Sequence, residues 1–183
     1  LFAFASHAPA IRVENTEDYL LPADAVVTPE LWLNATPADL RGTASEDVLA
    51  LCASASVSGV VSNDLWLMAN SIDVTGTVGD HCRLIGGRTV SMNGRACSSL
   101  VALAESVKLG TEADIGKGGL LVGQNVIVEG RVAGRLLIAG YRITINGLID
   151  GDLRIVADDI VVMPGTEIRG YLVYTSGRDL FLD

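Results

Sequence analysis

The chain has 183 residues, 49% of them hydrophobic but only 5% aromatic, and a net charge of −9. That charge excludes nucleic acid, whose phosphates need clustered Lys and Arg, and it excludes purely electrostatic docking on anionic lipid. No run reaches the roughly 18 apolar residues that span a bilayer, and apolar mass made of Val, Leu, Ile and Ala suits thin repeated layers.

Residues 1–20 read as a leader and N-terminal cap. Leu1-Phe2-Ala3-Phe4-Ala5-Ser6-His7-Ala8 looks like the tail of a signal peptide, with Ala3-Phe4-Ala5 in the small-x-small form of a cleavage site. A disordered leader with an accidental Ala-x-Ala is the alternative. The signal reading places the protein outside the cytoplasm, at the cell envelope. A cytoplasmic-face location stays open beside it.

From residue 21 to 175 one repeat takes over. An apolar column runs Val27, Ala44, Val61, Val78, Ala96, Ile115, Val132, Ile149 and Ile168, in steps of 17, 17, 17, 18, 19, 17, 17 and 19 residues. A second follows about four residues behind: Leu31, Val48, Leu65, Cys82, Leu100, Leu120, Leu136, Leu153 and Leu172. Three further inward columns complete the coil. They begin at Leu21 (then Ala38, Ala55, Ile72), at Ala23 (then Leu40, Val57, Val74) and at Leu33 (then Ala50, Leu67, Leu84, Ala102, Val122). Alternation within each segment is that of strands with one buried face. The period is too short for a helix pair or a propeller blade and fits one coil of a solenoid.

The expected fold is therefore all-β, a single-stranded parallel β-helix (β-solenoid) of about nine coils of 17–19 residues, on the order of 43 Å long. The two 19-residue coils insert two residues at one corner, in Leu109-Gly110-Thr111-Glu112-Ala113-Asp114-Ile115 and Val162-Met163-Pro164-Gly165-Thr166-Glu167-Ile168. Glycines between segments permit a positive φ at the corners. Residues 176–183 continue the alternation through Leu180-Phe181-Leu182, as the start of a further coil or a tail.

The segments Gly76-Thr77-Val78-Gly79-Asp80, Gly130-Arg131-Val132-Ala133-Gly134-Arg135-Leu136 and Gly147-Leu148-Ile149-Asp150-Gly151-Asp152-Leu153 share one grammar. Repeated at this period over about residues 42 to 175, it resembles the bactofilins, or polymer-forming cytoskeletal proteins. The resemblance implies a right-handed helix that polymerises end to end, without nucleotide, into filaments that scaffold envelope machinery. This chain has more coils than is usual in that family and looks more like its longer, exported or membrane-anchored relatives.

Candidate chemistry is sparse. Asp47, Asp64 and His81 follow one another at 17-residue steps, beside Glu46, Asn63 and Asp80. Two carboxylates about 5 Å apart suit a retaining glycosidase, and a carboxylate–His ladder suits a divalent ion. The plainer reading is that Asp and Asn sit at the corner before each strand because they favour turns. His81 is the one histidine within the repeat, and 17 is not a multiple of the six residues that a hexapeptide acyltransferase needs. Cys52, Cys82 and Cys97 match neither a CxxC pair nor a zinc framework, and Cys82 reads as a small core residue. No catalytic, metal or cofactor residue is assigned.

An outward row is the more informative oddity: Trp32, Leu49, Trp66, Arg83, Val101, Leu121, Leu137, Arg154, Val173. Its apolar members are the candidate stripe for lateral packing or membrane contact, with cover by residues 6 to 20 as the bland alternative. Leu180, Phe181 and Leu182 are the candidate end-to-end contact, since head-to-tail stacking does not close and makes filaments. Repulsion at −9 opposes lateral bundling, most at low salt. The sequence thus points to a non-enzymatic, self-assembling scaffold whose partners are further copies of itself and membrane or envelope proteins. The alternative is a carbohydrate-active or glycan-binding β-helix that uses an outward face.

Overall fold

The structure is a computed structural model that describes residues 10–178 and the backbone of residues 181 and 182. The signal-peptide reading of residues 1–8 falls outside the described residues. Among those residues every regular element is a β-strand and every pairing is parallel, and none is a helix, so none is long and apolar enough to cross a membrane.

Three ladders of strands run along one axis. The first face has ten rungs among the described residues: Ile11–Asn15, Glu30–Ala35 and Val48–Cys52, the leading halves of Leu65–Val74 and Cys82–Met92, then Ser99–Leu103. The leading halves of Gly118–Val128, Arg135–Ile145 and Leu153–Val162 follow, and Leu172–Ser176 ends it. The second face runs from Tyr19–Leu21 to Phe181–Leu182, through the trailing halves of the same long strands. The third is a ladder of nine two-residue strands from Val26–Val27 to Glu167–Ile168. The result is a parallel β-helix of about ten turns, one more than the columns predict. At about 4.8 Å per rung it is a rod about 43 Å long.

The inward columns form one continuous core. Val27, Ala44, Val61, Val78, Ala96, Ile115, Val132, Ile149 and Ile168 stack partner to partner as the sequence implies, and all but the last are buried. Two registers differ from the expectation. In the first coil the column residues are Tyr19 and Leu21, paired with Ala38 and Leu40, where Leu21 and Ala23 were expected. The reason is a third long corner at the start of the rod. Ala25 N–H donates to Pro22 O at 3.0 Å, as Ala113 does to Gly110 O and Thr166 to Met163 O, each at 3.0 Å. In the coil after Ile115 the column residues are Gly119 and Leu121, where Leu120 and Val122 were expected. A glycine stands at the usual leucine position there, and the apolar run shifts by one.

The corner glycines serve close approach rather than unusual backbone angles. Gly118 is the one residue with a left-handed φ (+118°) among the described residues. At the corner leading onto the third face, a Cβ on Gly59 would lie 2.0 Å from Gly42 O, and one on Gly76 would lie 2.0 Å from Gly59 O. Successive coils touch backbone to backbone there, which excludes any side chain.

Candidate functional site

The outward side of the first face carries the sequence-predicted stripe. The register stacks Val13, Trp32, Leu49, Trp66, Arg83, Val101, Leu120, Leu137, Arg154 and Val173 on successive rungs. Six of the seven named apolar residues take the expected places. Leu121 does not: it is fully buried between Ala102 and Ile138, and Leu120 stands in the row. The slip is the one Gly119 introduces. Trp32 (42%), Trp66 (45%), Leu137 (41%) and Val173 (53%) remain substantially exposed.

Local contacts hold both tryptophans of the row. Arg83 lies over the Trp66 ring, 4.5 Å from its centroid, while its Nη1 is 3.3 Å from Asp64 Oδ2. The guanidinium thus covers an aromatic surface and is neutralised at its edge. Trp32 Nε1–H donates to Glu30 Oε1 at 2.7 Å, which fixes the indole across the strand.

A second outward row, which sequence reasoning missed, runs beside the first. Leu51, Met68, Ile85, Leu103, Val122, Ala139 and Val156 stack on seven successive rungs. Leu51, Met68, Ile85 and Val156 are exposed. The signal was present as apolar residues two positions after Leu49, Trp66, Arg83, Val101, Leu120, Leu137 and Arg154, and Val122 among them was placed in an inward column. Two open grooves lie along the rows. One of about 310 Å³ is lined by Val13, Trp32, Leu49 and Leu51, and one of about 470 Å³ by Leu51, Met68, Ile85 and the Gly86–Gly87 corner.

Residues 11–20 do not cover this face. Ile11–Asn15 pairs with Glu30–Asn34 edge to edge and extends the ladder by a rung, and Tyr19–Leu21 does the same on the second face. Of the predicted end-to-end residues, Leu180 lies outside the described residues. Phe181 and Leu182 form a strand beside Val161 and Val162, so a further rung starts on the second face.

The polar column is committed to holding corners. Asp47 Oδ1 accepts the Asp64 N–H at 3.0 Å, Asp64 Oδ1 accepts the His81 N–H at 3.0 Å, and Asp152 Oδ1 accepts the Tyr171 N–H at 3.1 Å. Asn63 Nδ2 donates to Glu46 Oε2 at 2.8 Å, and His81 Nδ1 sits 2.7 Å from Ser99 Oγ. Each of these aspartates satisfies a backbone donor one coil further on, as the turn reading requires. Among the described residues no group of three or more His, Cys, Asp and Glu side chains is placed to hold a metal ion.

The thiols are unpaired, with Cys97 exposed, Cys52 half-buried and Cys82 in the core. Burial pushes the Cys82 thiol up to about 12 and also raises that of Cys52. Both are poor nucleophiles at neutral pH.

On the third face the outward chemistry is ionic in the later coils, from Arg95 onward, whereas Val26 and Val60 stand exposed in the early ones. Arg131 bridges Asp114 (3.0 Å) and Asp150 (2.6 Å), and Arg169 bridges Asp150 (2.7 Å) and Glu167 (2.8 Å). Hydrogen bonds from both arginines to these carboxylates raise the guanidinium pKa values further above their ordinary range.

Comparison with protein-family models, with curated proteins and with solved structures gave no match to this chain.

Proposed function

We propose that the chain is a non-enzymatic structural scaffold, a β-helical rod that assembles with further copies of itself. The observation that carries this reading is the apolar face, two rows wide, exposed along most of the rod. Monomeric proteins seldom leave a contiguous apolar patch of that extent uncovered. The polar column that offered the best case for catalysis supports the same reading, because its carboxylates are occupied by backbone donors of the next coil.

A filament-forming role like that of the bactofilins, and work at the bacterial cell envelope beside membrane or envelope proteins, belong to this proposal. Both rest on the sequence grammar of the corners. Stacked coils of one geometry suit end-to-end growth, in which each added rod continues the ladder.

Electron microscopy of the purified chain tests the reading. Filaments or extended assemblies that grow with protein concentration are the expected result. Persistent single rods that turn over or retain glycans would replace the scaffold by the carbohydrate-active alternative.

A further inference from the structure

The apolar face also carries information about what covers it. Along its edge the charges are segregated by sign. Glu30, Asp47 and Asp64 line rungs two to four, whereas Arg83, Arg135 and Arg154 mark rungs five, eight and nine. Two of these arginines are paired within the copy, Arg83 with Asp64 at 3.3 Å and Arg135 with Asp152 at 3.7 Å, and Asp80 adds an acidic group at rung five, which leaves Arg154 without an ion pair among the described residues. The segregation belongs to this edge and not to the whole chain: residues 1–82 hold two Lys or Arg against eleven Asp or Glu, a net −9, residues 83–142 hold eight against four, a net +4, and residues 143–183 hold three against seven, a net −4.

We propose that this face is a lateral interface with a second copy of the chain, packed antiparallel. The inference rests on the scaffold reading and adds to it the surface and the orientation. Parallel rods in register would set acidic edge on acidic edge and basic on basic. An isologous antiparallel pair brings the acidic rungs of each copy onto the basic rungs of the other, and overall repulsion at −9 is offset where the charges are closest. The outward rows repeat at the rung spacing, so the apolar side chains of one copy can seat between those of the other. Ten rungs by a six-residue strand give a footprint of roughly 43 Å by 17 Å, or about 730 Å². That approaches the roughly 800 Å² per partner of a standard stable interface. An anionic membrane fits less well, because rungs two to four have an acidic rim.

The test uses the full chain and Leu137→Glu, with Thr144→Glu on the second face of the same coil as the control, circular dichroism serving to establish folding of each. Leu137→Glu places a carboxylate in the centre of the proposed contact. It should weaken lateral pairing more than about tenfold in sedimentation velocity, while the control pairs like the parent. In electron microscopy, gold at the C-terminus should mark both ends of each paired rod. Gold at one end only would overturn the antiparallel arrangement. Assembly of Leu137→Glu equal to that of the parent would overturn the interface while leaving the scaffold reading standing. A parent that stays monomeric but floats with phosphatidylcholine vesicles, and loses them on Leu137→Glu, would make lipid the occupant and overturn the second copy. A parent that is monomeric and binds no vesicles would sink both proposals.

Discussion

Along the first face, Trp66 is stacked between Leu49 and Arg83, and the rows around it are Leu, Val, Met and Ile. Along the third face, Arg131 is held between Asp114 and Asp150, with Arg169 bonded to the same Asp150. Both faces rest on inward columns, buried at Leu65 and Leu100 on one, where Gly119 leaves a single gap, and at Val78 and Val132 on the other. The inward alternation therefore decides that a coil forms and stacks, and it is indifferent to what stands outside. From Arg95 to Arg169 the third face pairs its charges within the copy. The apolar face leaves Trp32, Met68 and Leu137 exposed, and in the proposed assembly a second copy covers them.

If the inside alone sets stability, the largest effects must come from positions that hold coils together. Gly76→Val forces a side chain into Gly59 O and must push adjacent coils apart. Chemical denaturation should register a loss of at least about 4 kcal/mol, at the top of the usual range for one substitution. A loss below about 1 kcal/mol would mean the corner yields easily.

Cys82 gives the next largest effect. Burial keeps its thiol protonated up to about 12, against 9.0 for the ordinary thiol of an unfolded chain. Between those values the folded state binds one more proton, so stability falls as pH rises, by about 1.4 kcal/mol per pH unit. The contribution is fully present below pH 9.0. Denaturation midpoints measured across that window should fall in the parent and fall less in Cys82→Ala.

On the third face Arg131→Ala removes two exposed ion pairs and should lower the denaturation midpoint only slightly, with the difference shrinking in high salt. A salt-independent loss would mean the arginine acts through packing. On the first face, Leu137→Ser should alter unfolding by no more than about 0.5 kcal/mol while weakening assembly. A large loss of stability there would erase the contrast between the faces.

Much of this was readable in the chain because a strand with one buried face writes its pattern every second residue. The column from Val27 to Ile168 needed no correction, and its 18- and 19-residue steps marked where corners lengthen. The misreadings have local causes. Gly119 occupies a core column without an apolar side chain, so Leu120 and Leu121 exchanged their inside and outside assignments. The long corner after Leu21 has no earlier coil to be compared with, so Tyr19 went unnoticed. The row from Leu51 to Val156 stayed hidden because periodicity alone does not tell an outward apolar residue near a corner from an inward one. Exposure of Leu51 and Met68 decides it. The carboxylate column was visible as spacing, but only geometry revealed that Asp47 and Asp64 accept backbone N–H groups.

Trp32 and Trp66 are the chain's two tryptophans, and both stand on the apolar face. Their fluorescence, followed with acrylamide quenching as protein concentration rises, reports directly on whether self-assembly covers that face. The account predicts that emission shifts to the blue and quenching falls in step with the growth of mass in sedimentation. Growth of mass with both tryptophans still fully open to quencher would contradict it.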